Sequence, residues 1–227
     1  MKILVTGSEG FIGKHVVKAL KKNHKVLGVD RRNNNVMENL TMSSIVDKIV
    51  SDLKPDVIVH LASNVSNNID ECFLDIKTTI NLLQAAKQNK VKKFIFSSSA
   101  AVYGNSYPEV HPINPYGLSK MHCEQWIYQF VNKDFKAVIM RFGNVYGPNG
   151  KGVINQFIER LKLNQSLTIY GDGMQVRDYI YVDDIVNSIK AGIDFGCENT
   201  SFDCWQLGTG NGNNIFKILE ILSDLSI

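Results

Sequence analysis

Ile3-Leu4-Val5-Thr6-Gly7-Ser8-Glu9-Gly10-Phe11-Ile12-Gly13 places three glycines between a short β-branched run and a segment of helical period. A strand that feeds a helix through such a turn opens a βαβ unit. The first glycine permits the tight turn, the second lets a pyrophosphate approach the backbone, and the third allows helix and strand to pack closely. Free N–H groups at the start of the helix then face an anion. Asp30 follows the next apolar run, Lys25 to Val29, where a carboxylate can accept both ribose hydroxyls of an adenine dinucleotide. This order of elements predicts NAD as cofactor. Arg31 and Arg32 leave NADP as the alternative, because an arginine just past this strand can hold a 2′-phosphate, although Asp30 would repel it.

The pattern continues outward from that unit. Ile3 to Thr6, Lys25 to Val29, Val57 to Leu61, Phe94 to Ser98 and Ala137 to Arg141 are apolar enough to be covered on both faces, as interior parallel strands are. Phe11 to Lys22, Ser43 to Leu53, Ile69 to Asn89, Pro115 to Asn132 and Val153 to Leu163 repeat apolar residues near i, i+3 and i+4, which predicts helices between them. The fold class expected is α/β, a Rossmann-like doubly wound parallel sheet with right-handed crossovers. After Gly147-Pro148 the texture changes to loops, short strands and glycine pairs. Residues 1–147 are therefore expected to form the dinucleotide-binding domain. Residues 148–227 should be mainly a small substrate lobe, with some segments returning to the first domain.

Composition excludes other classes. The 227 residues include 44% hydrophobic and 21% charged side chains, with 17 Gly and 5 Pro, which rules out collagen-like and wholly disordered chains. A net charge of +3 is too mild to hold nucleic acid or a membrane surface by charge alone. Cys72, Cys123, Cys197 and Cys204 form no C-x-x-C pair and read as free thiols in a reducing compartment. No run approaches the roughly 18 apolar residues of a membrane span, so a soluble cytoplasmic protein is expected. No His pair has H-E-x-x-H spacing, so no metal is expected. His60 reads as a satisfied core histidine, and His111 as a solvated one.

The chemistry gathers at the fourth apolar run. It delivers Ser97-Ser98-Ser99 to the strand's C-terminal end, the edge where open α/β sheets bind ligands. The serines lack the G-x-S-x-G elbow of a hydrolase. Asn114 and Pro115 start a helix that carries Tyr116 and Lys120 one turn apart on one face. An ordinary tyrosine ionises near ~10, and a neighbouring ammonium together with the positive helix end favours the phenolate. Tyr116 could then act as base or acid on an alcohol or ketone, with Ser99 hydrogen-bonding the same oxygen. Alone, Tyr-x-x-x-Lys is common on ordinary helices; the glycine turn and the serines give it meaning.

Together these motifs resemble the extended short-chain dehydrogenase/reductase family, in its NAD-dependent nucleotide-sugar epimerase/dehydratase branch, of which UDP-glucose 4-epimerase is the type. The resemblance spans the chain. It runs through Thr6-Gly7-x-x-Gly10-x-x-Gly13, His60-Leu61-Ala62, Phe96-Ser97-Ser98-Ser99 and Pro115-Tyr116-Gly117-x-Ser119-Lys120. It continues in Arg141-Phe142-x-Asn144-Val145-Tyr146-Gly147-Pro148 and Gly171-Asp172-Gly173-x-x-x-Arg177-Asp178-Tyr179. It implies Ser99, Tyr116 and Lys120 as catalytic residues. It implies cofactor contacts at Gly7, Gly10, Phe11, Ile12, Gly13, Asp30, Asn39, Leu40, Leu61, Ala62, Ser97, Tyr116 and Lys120. Ser99, Asn144 and Arg177 would contact the sugar nucleotide. From the residues alone, Arg177 reads instead as the partner of Asp172 or Asp178.

Dehydratases of this family carry an acidic pair where Ala100 and Ala101 stand, and methyl groups cannot move protons. The resemblance therefore implies a nucleotide-sugar 4-epimerase working through a 4-keto intermediate in surface-polysaccharide precursor synthesis. It also implies a homodimer through the Ile69–Asn89 and Pro115–Asn132 helices. A 4-keto-sugar reductase and a binding module without chemistry are the alternatives. Three departures from the family pattern stand out: Asn39 replaces an adenine-contacting Asp, Asp75 replaces a cofactor-side Asn, and family members continue beyond Ile227 with a second phosphate-binding arginine. The resemblance thus implies a shortened substrate lobe.

Overall fold

The computed structural model describes residues 1–31 and 39–224. Arg32, one of the two arginines read as a possible 2′-phosphate contact, lies outside the described residues, as do the Asn33–Asn35 run and Glu38.

Five strands, β1 (Lys2–Thr6), β2 (Lys25–Val29), β3 (Val57–His60), β4 (Lys93–Ser99) and β5 (Lys136–Phe142), alternate with α1 (Phe11–Leu20), α2 (Ser43–Leu53), α3 (Ile69–Gln88) and α4 (Pro115–Phe130). Their bounds agree with the sequence pattern to within two residues. Beyond them come β6 (Asn144–Tyr146), α5 (Val153–Lys162), β7 (Arg177–Tyr181), α6 (Val182–Asp194), β8 (Phe202–Leu207), β9 (Gly212–Asn213) and α7 (Ile215–Asp224). The main sheet is parallel throughout, in the order β2-β1-β3-β4-β5-β8. This is the Rossmann-like α/β architecture that the sequence predicts.

Alternation along each strand sends side chains to two separate cores. Leu4, Ile58, Phe94, Phe96 and Ile139 pack beneath α2, α3 and α4 with Val46, Val50, Leu82, Leu83 and Ile127. Ile3, Val5, Val59, Ile95, Val138 and Met140 face α1 and α6 through Val16, Leu20, Ile185 and Ile189. Both faces are dry, which is why these strands read as continuous apolar runs. A third, smaller cluster joins α5 to α7 through Ile154, Phe157, Ile218 and Leu222.

The second half contains more regular structure than its loop-like texture suggests. Val182, Ile185, Val186, Ile189 and Ile193 bury one face of α6, at the helical spacing i, i+3, i+4, i+7 and i+11. No side chain caps its start, although Asp183 and Asp184 stand in its first turn, and Gly192 is buried within its last turn. Strand β8 lies at the sheet edge beside β5 and none of its residues is fully buried, so it does not read as a continuous apolar run. β6, β7 and β9 form a small separate sheet.

The strand order reverses direction after β1: β2 lies on one side and β3 on the other. The chain therefore diverges above β1, and a crevice opens at the C-terminal ends of the strands.

Candidate active site

The crevice begins at the glycine turn. Gly7 has φ +71°, and a Cβ there would lie 2.7 Å from the Ala62 nitrogen. A Cβ on Gly13 would lie 2.0 Å from the Gly7 carbonyl oxygen, so only glycine lets α1 start this close to β1. Gly10, the residue before α1, offers no side chain to the first turn. The N–H groups of Phe11 and Ile12 remain for an external anion. Asp30 is buried and its Oδ2 accepts the Glu9 N–H at 3.0 Å.

A groove of about 680 Å³ runs from Gly7 and Gly10 past Asp30, Arg31, Asn39 and Leu40 to Leu61, Ala62, Ser63 and Asp75. Asn39 folds its own loop, its Oδ1 accepting from the Thr41 N–H at 3.1 Å and the Thr41 hydroxyl at 2.7 Å. Buried Asn81 on α3 donates to the Leu40 carbonyl at 3.0 Å and fixes the other side of that loop. Backbone donors at one end, a carboxylate beside them and apolar walls beyond fit phosphates, a ribose and an adenine in that order.

The second half of the site is built on α4. Asn114 Oδ1 accepts from the Gly117 N–H at 2.7 Å and Pro115 occupies the first turn, which starts the helix where the sequence predicts. A Cβ on Gly117 would lie 2.4 Å from the Ala101 carbonyl oxygen. The helix start is thus pressed against the 3₁₀ turn Ala100–Tyr103 that follows β4. This contact brings Tyr116 to the end of the strand that carries Ser99.

Lys120 is only 3% exposed. Its Nζ donates to the Ser97 carbonyl at 2.7 Å and lies 4.8 Å from the Phe96 ring centre and 5.8 Å from the Tyr116 ring centre. This places a buried ammonium beside the Tyr116 ring, one helical turn from it. Ser97 supports this from beneath, since its hydroxyl donates to the His60 carbonyl at 3.0 Å. The half-buried Ser99 accepts from the Ala101 N–H at 3.1 Å. Among the described residues Ser99 donates to none, so its O–H is available to a substrate oxygen.

Several residues that hold this arrangement were given no role by the sequence patterns. Arg141 on β5 grips Glu124 on α4 with two hydrogen bonds, Nε to Oε1 at 3.0 Å and Nη2 to Oε2 at 2.6 Å. Ser98 donates to the same carboxylate, and Arg141 also donates to the Tyr103 hydroxyl at 2.9 Å. Glu124 lies one helical turn beyond Lys120, so the pair fixes α4 against the sheet just below the reactive side chains. The spacing Tyr116, Lys120, Glu124 was the readable signal.

A hydrogen-bonded line also runs under the crevice. The Ala62 N–H donates to Thr6 Oγ1 at 3.3 Å, and Thr6 Oγ1 lies 2.7 Å from His60 Nδ1. His60 Nε2 lies 3.1 Å from Thr79 Oγ1, which donates to the Asp75 carbonyl at 2.9 Å. With the Thr79 proton on that carbonyl, His60 is the Nε2–H tautomer and accepts from Thr6. Burial, reinforced by the Lys120 charge, pushes its pKa down to about 3. It is the satisfied core histidine that the sequence suggests; His111 is exposed.

Asn144 and Arg177 come together on the small sheet. Asn144 pairs with Tyr179, and Arg177 lies two residues before Tyr179, so both occupy one face. Asn144 follows the C-terminal end of β5, whose Phe142 pairs with Ser99. The alternative pairing of Arg177 with Asp172 or Asp178 is not what forms. Arg177 Nη1 donates to the Val176 carbonyl at 2.8 Å, and no carboxylate pairs with it among the described residues. Asp178 instead accepts from the Thr209 N–H at 3.0 Å, the Thr209 hydroxyl at 2.7 Å and the Gly210 N–H at 2.8 Å. Burial raises its pKa, but these bonds outweigh that and hold its carboxyl below the usual range.

All four cysteines are unpaired, and among the described residues no helix is long and apolar enough to cross a membrane. Among the described residues no cluster of His, Cys, Asp and Glu could hold a metal.

The sequence model of the NAD dependent epimerase/dehydratase family matches residues 3–202. A putative UDP-glucose 4-epimerase of Methanocaldococcus jannaschii is 34% identical over 252 residues, covering 97% of this chain and 81% of that protein. The structure of Thermotoga maritima UDP-glucose 4-epimerase with UDP-glucose superposes with a TM-score of 0.89 at 31% identity, over 99% of this chain and 82% of the other. Thermus thermophilus UDP-glucose 4-epimerase in complex with NAD gives a TM-score of 0.86 at 27% identity, over 99% and 83%.

Proposed function

Because the chain belongs to the NAD-dependent epimerase/dehydratase family, we propose that it is an epimerase that inverts C4 of a nucleotide-linked hexose. In this reading the α1 start, with Gly7, Gly10, Phe11, Ile12 and Gly13, holds the cofactor phosphates. Asp30 takes the adenosine ribose, and Asn39, Leu40, Leu61 and Ala62 enclose the adenine. Ser97, Tyr116 and Lys120 border the nicotinamide half. When bound, NAD supplies the acceptor that takes the C4 hydrogen as hydride and later returns it.

The chain's own residues handle the proton. Tyr116 Oη takes it from the C4 hydroxyl while the Ser99 O–H donates to the same oxygen, and buried Lys120 sets a positive charge beside the Tyr116 ring. Asn144 and Arg177 hold the diphosphate, which leaves the 4-keto sugar able to rotate and present its other face. Ala100 and Ala101 offer no group to remove water, so the keto sugar is reduced rather than dehydrated. The observation that carries this reading is the placement of Lys120, desolvated, fixed on the Ser97 carbonyl and beside the Tyr116 ring.

The test is to incubate the protein with UDP-hexoses and follow both sugars and the nicotinamide absorbance. Interconversion of C4 epimers with no net absorbance change is expected, and Tyr116→Phe should lower turnover ~10²–10⁴-fold. Stoichiometric loss of reduced cofactor would identify a reductase instead. Binding without turnover would identify a module that only holds the ligand.

Two organisational proposals accompany this reading. Residues 1–147 serve the cofactor and 148–227 mainly the substrate. Helix α6 and strand β8, which pack on and extend the main sheet, are the segments of the second part that return to the first. Helices α3 and α4 leave an apolar groove of about 410 Å³. Phe73 is 64% exposed, Ile113 60% and Leu118 43% around it. A second copy seated on this face, pairing α3 and α4 into a four-helix bundle, would cover them. The unpaired thiols suit a reducing cytoplasm.

A further inference from the structure

The two walls of the crevice are tied together by side chains. On one wall Arg31 follows β2; on the other, Ser63 and Asn64 lie in the loop between β3 and α3, with Asp75 of α3 behind them. Arg31 Nη2 donates to Asn64 Oδ1 at 2.8 Å. Asn64 Nδ2 donates to Asp75 Oδ1 at 3.1 Å, and the Asn64 N–H reaches both Asp75 oxygens at 3.1 and 2.9 Å. The Ser63 hydroxyl donates to Asp75 Oδ2 at 2.5 Å. All four residues line the groove that also holds Asp30.

The direction of these bonds follows from the acid. A carboxylate accepts and does not donate. It therefore turns the Asn64 amide so that its NH₂ faces Asp75 and its oxygen faces outward, toward Arg31. A neutral amide at position 75 could donate or accept and would leave this sense unset. The outward oxygen then competes for the one described guanidinium positioned to meet a phosphate on the adenosine ribose.

We propose that Asp75, Asn64 and Arg31 form a relay that selects the unphosphorylated dinucleotide. Asp75 orients Asn64, Asn64 draws Arg31 across the crevice to the β3 side, and a 2′-phosphate beside Asp30 is left without its arginine. Asp75 and Asn64 are positioning residues here, and Arg31 is the group positioned. The proposal rests on the dinucleotide reading of the groove.

Calorimetric titration of the cofactor-free protein with NAD and with NADP tests it without reference to activity. The parent protein should prefer NAD. Asn64→Ala and Asp75→Asn should each shift the preference toward NADP by roughly tenfold or more, the worth of one hydrogen bond to a charged group. Adding Arg31→Ala to Asn64→Ala should remove that shift, which a general loosening of the loop would not do. NAD binding with an unchanged preference in both single variants overturns the relay. So does a gain in NADP affinity that survives Arg31→Ala, or a parent protein that prefers NADP. A parent protein that binds neither dinucleotide overturns the cofactor reading of the groove and the relay with it.

Discussion

Acid should weaken this fold through His60, and by a calculable amount. With the Thr79 proton on the Asp75 carbonyl, Nδ1 accepts from Thr6, whose oxygen already takes the Ala62 N–H, and Nε2 donates to Thr79. A second ring proton would have to point at Thr6 Oγ1, and the displaced Thr6 hydrogen would have no acceptor in the line. Burial, reinforced by the Lys120 charge, keeps the ring neutral when folded, with a pKa of about 3 against 6.5 for an ordinary histidine. A histidine lowered in this way costs nothing above pH 6.5. Below it the unfolded chain takes up a proton that the folded chain refuses, so stability falls with pH until the folded pKa is reached. At pH 5 the unfolded ring lies 1.5 units below its midpoint, which at ~1.4 kcal/mol per unit gives a loss of about 2 kcal/mol relative to pH 7 or above. The figure barely depends on the folded value, because pH 5 is far above it. Urea unfolding at pH 7 and pH 5, for the parent protein and for His60→Asn, isolates the histidine from other titrating groups. The parent should lose about 2 kcal/mol more than the variant between the two pH values. NMR of the imidazole nitrogens in the parent should show the Nε2–H neutral form at both. Equal losses in the two proteins, or a charged ring at pH 5, would refute the hydrogen-bonded line as drawn.

Two further outcomes follow from packing. Removing one partner of the buried Glu124–Arg141 pair should cost about 3–5 kcal/mol, because the other charge is left desolvated; the double change Glu124→Leu with Arg141→Met should cost less than the two single losses added, as read by urea unfolding. Phe73→Glu on α3 should convert the proposed dimer to a monomer in sedimentation equilibrium, and a parent protein that sediments as a monomer would remove the proposed α3–α4 interface.

What could be read from the chain was what is local. The apolar runs of β1, β3, β4 and β5 show as strands because both faces are covered, and the glycine turn shows because three positions lack room or φ for a side chain. Tyr116 and Lys120 are legible because four residues on a helix make one face. The supports of the site are different in kind. Arg141 meets Glu124, and Asn81 meets the Leu40 carbonyl, only because sheet order and helix packing bring distant segments together. Asp75 showed as a departure from a pattern, but its three donors, from Ser63 and Asn64, depend on how the β3 loop folds back over α3. Helix α6 was legible in its period, though no side chain caps its start. Strand β8 was obscured because, at the edge of the sheet, it carries polar Asp203 and Gln206 among its apolar residues.

Strand β5 has its second neighbour, β8, much later in the sequence. On a ribosome adding roughly 5–20 residues per second, several seconds separate the synthesis of Phe142 from that of Leu207. Throughout that interval the newborn chain can already pair its first five strands, yet it presents the bare backbone of Ala137 to Phe142 as an open, apolar margin. Such a margin invites pairing with a neighbouring nascent chain, so the yield of folded protein should depend on translation speed and on whatever shields that margin until the closing strand arrives.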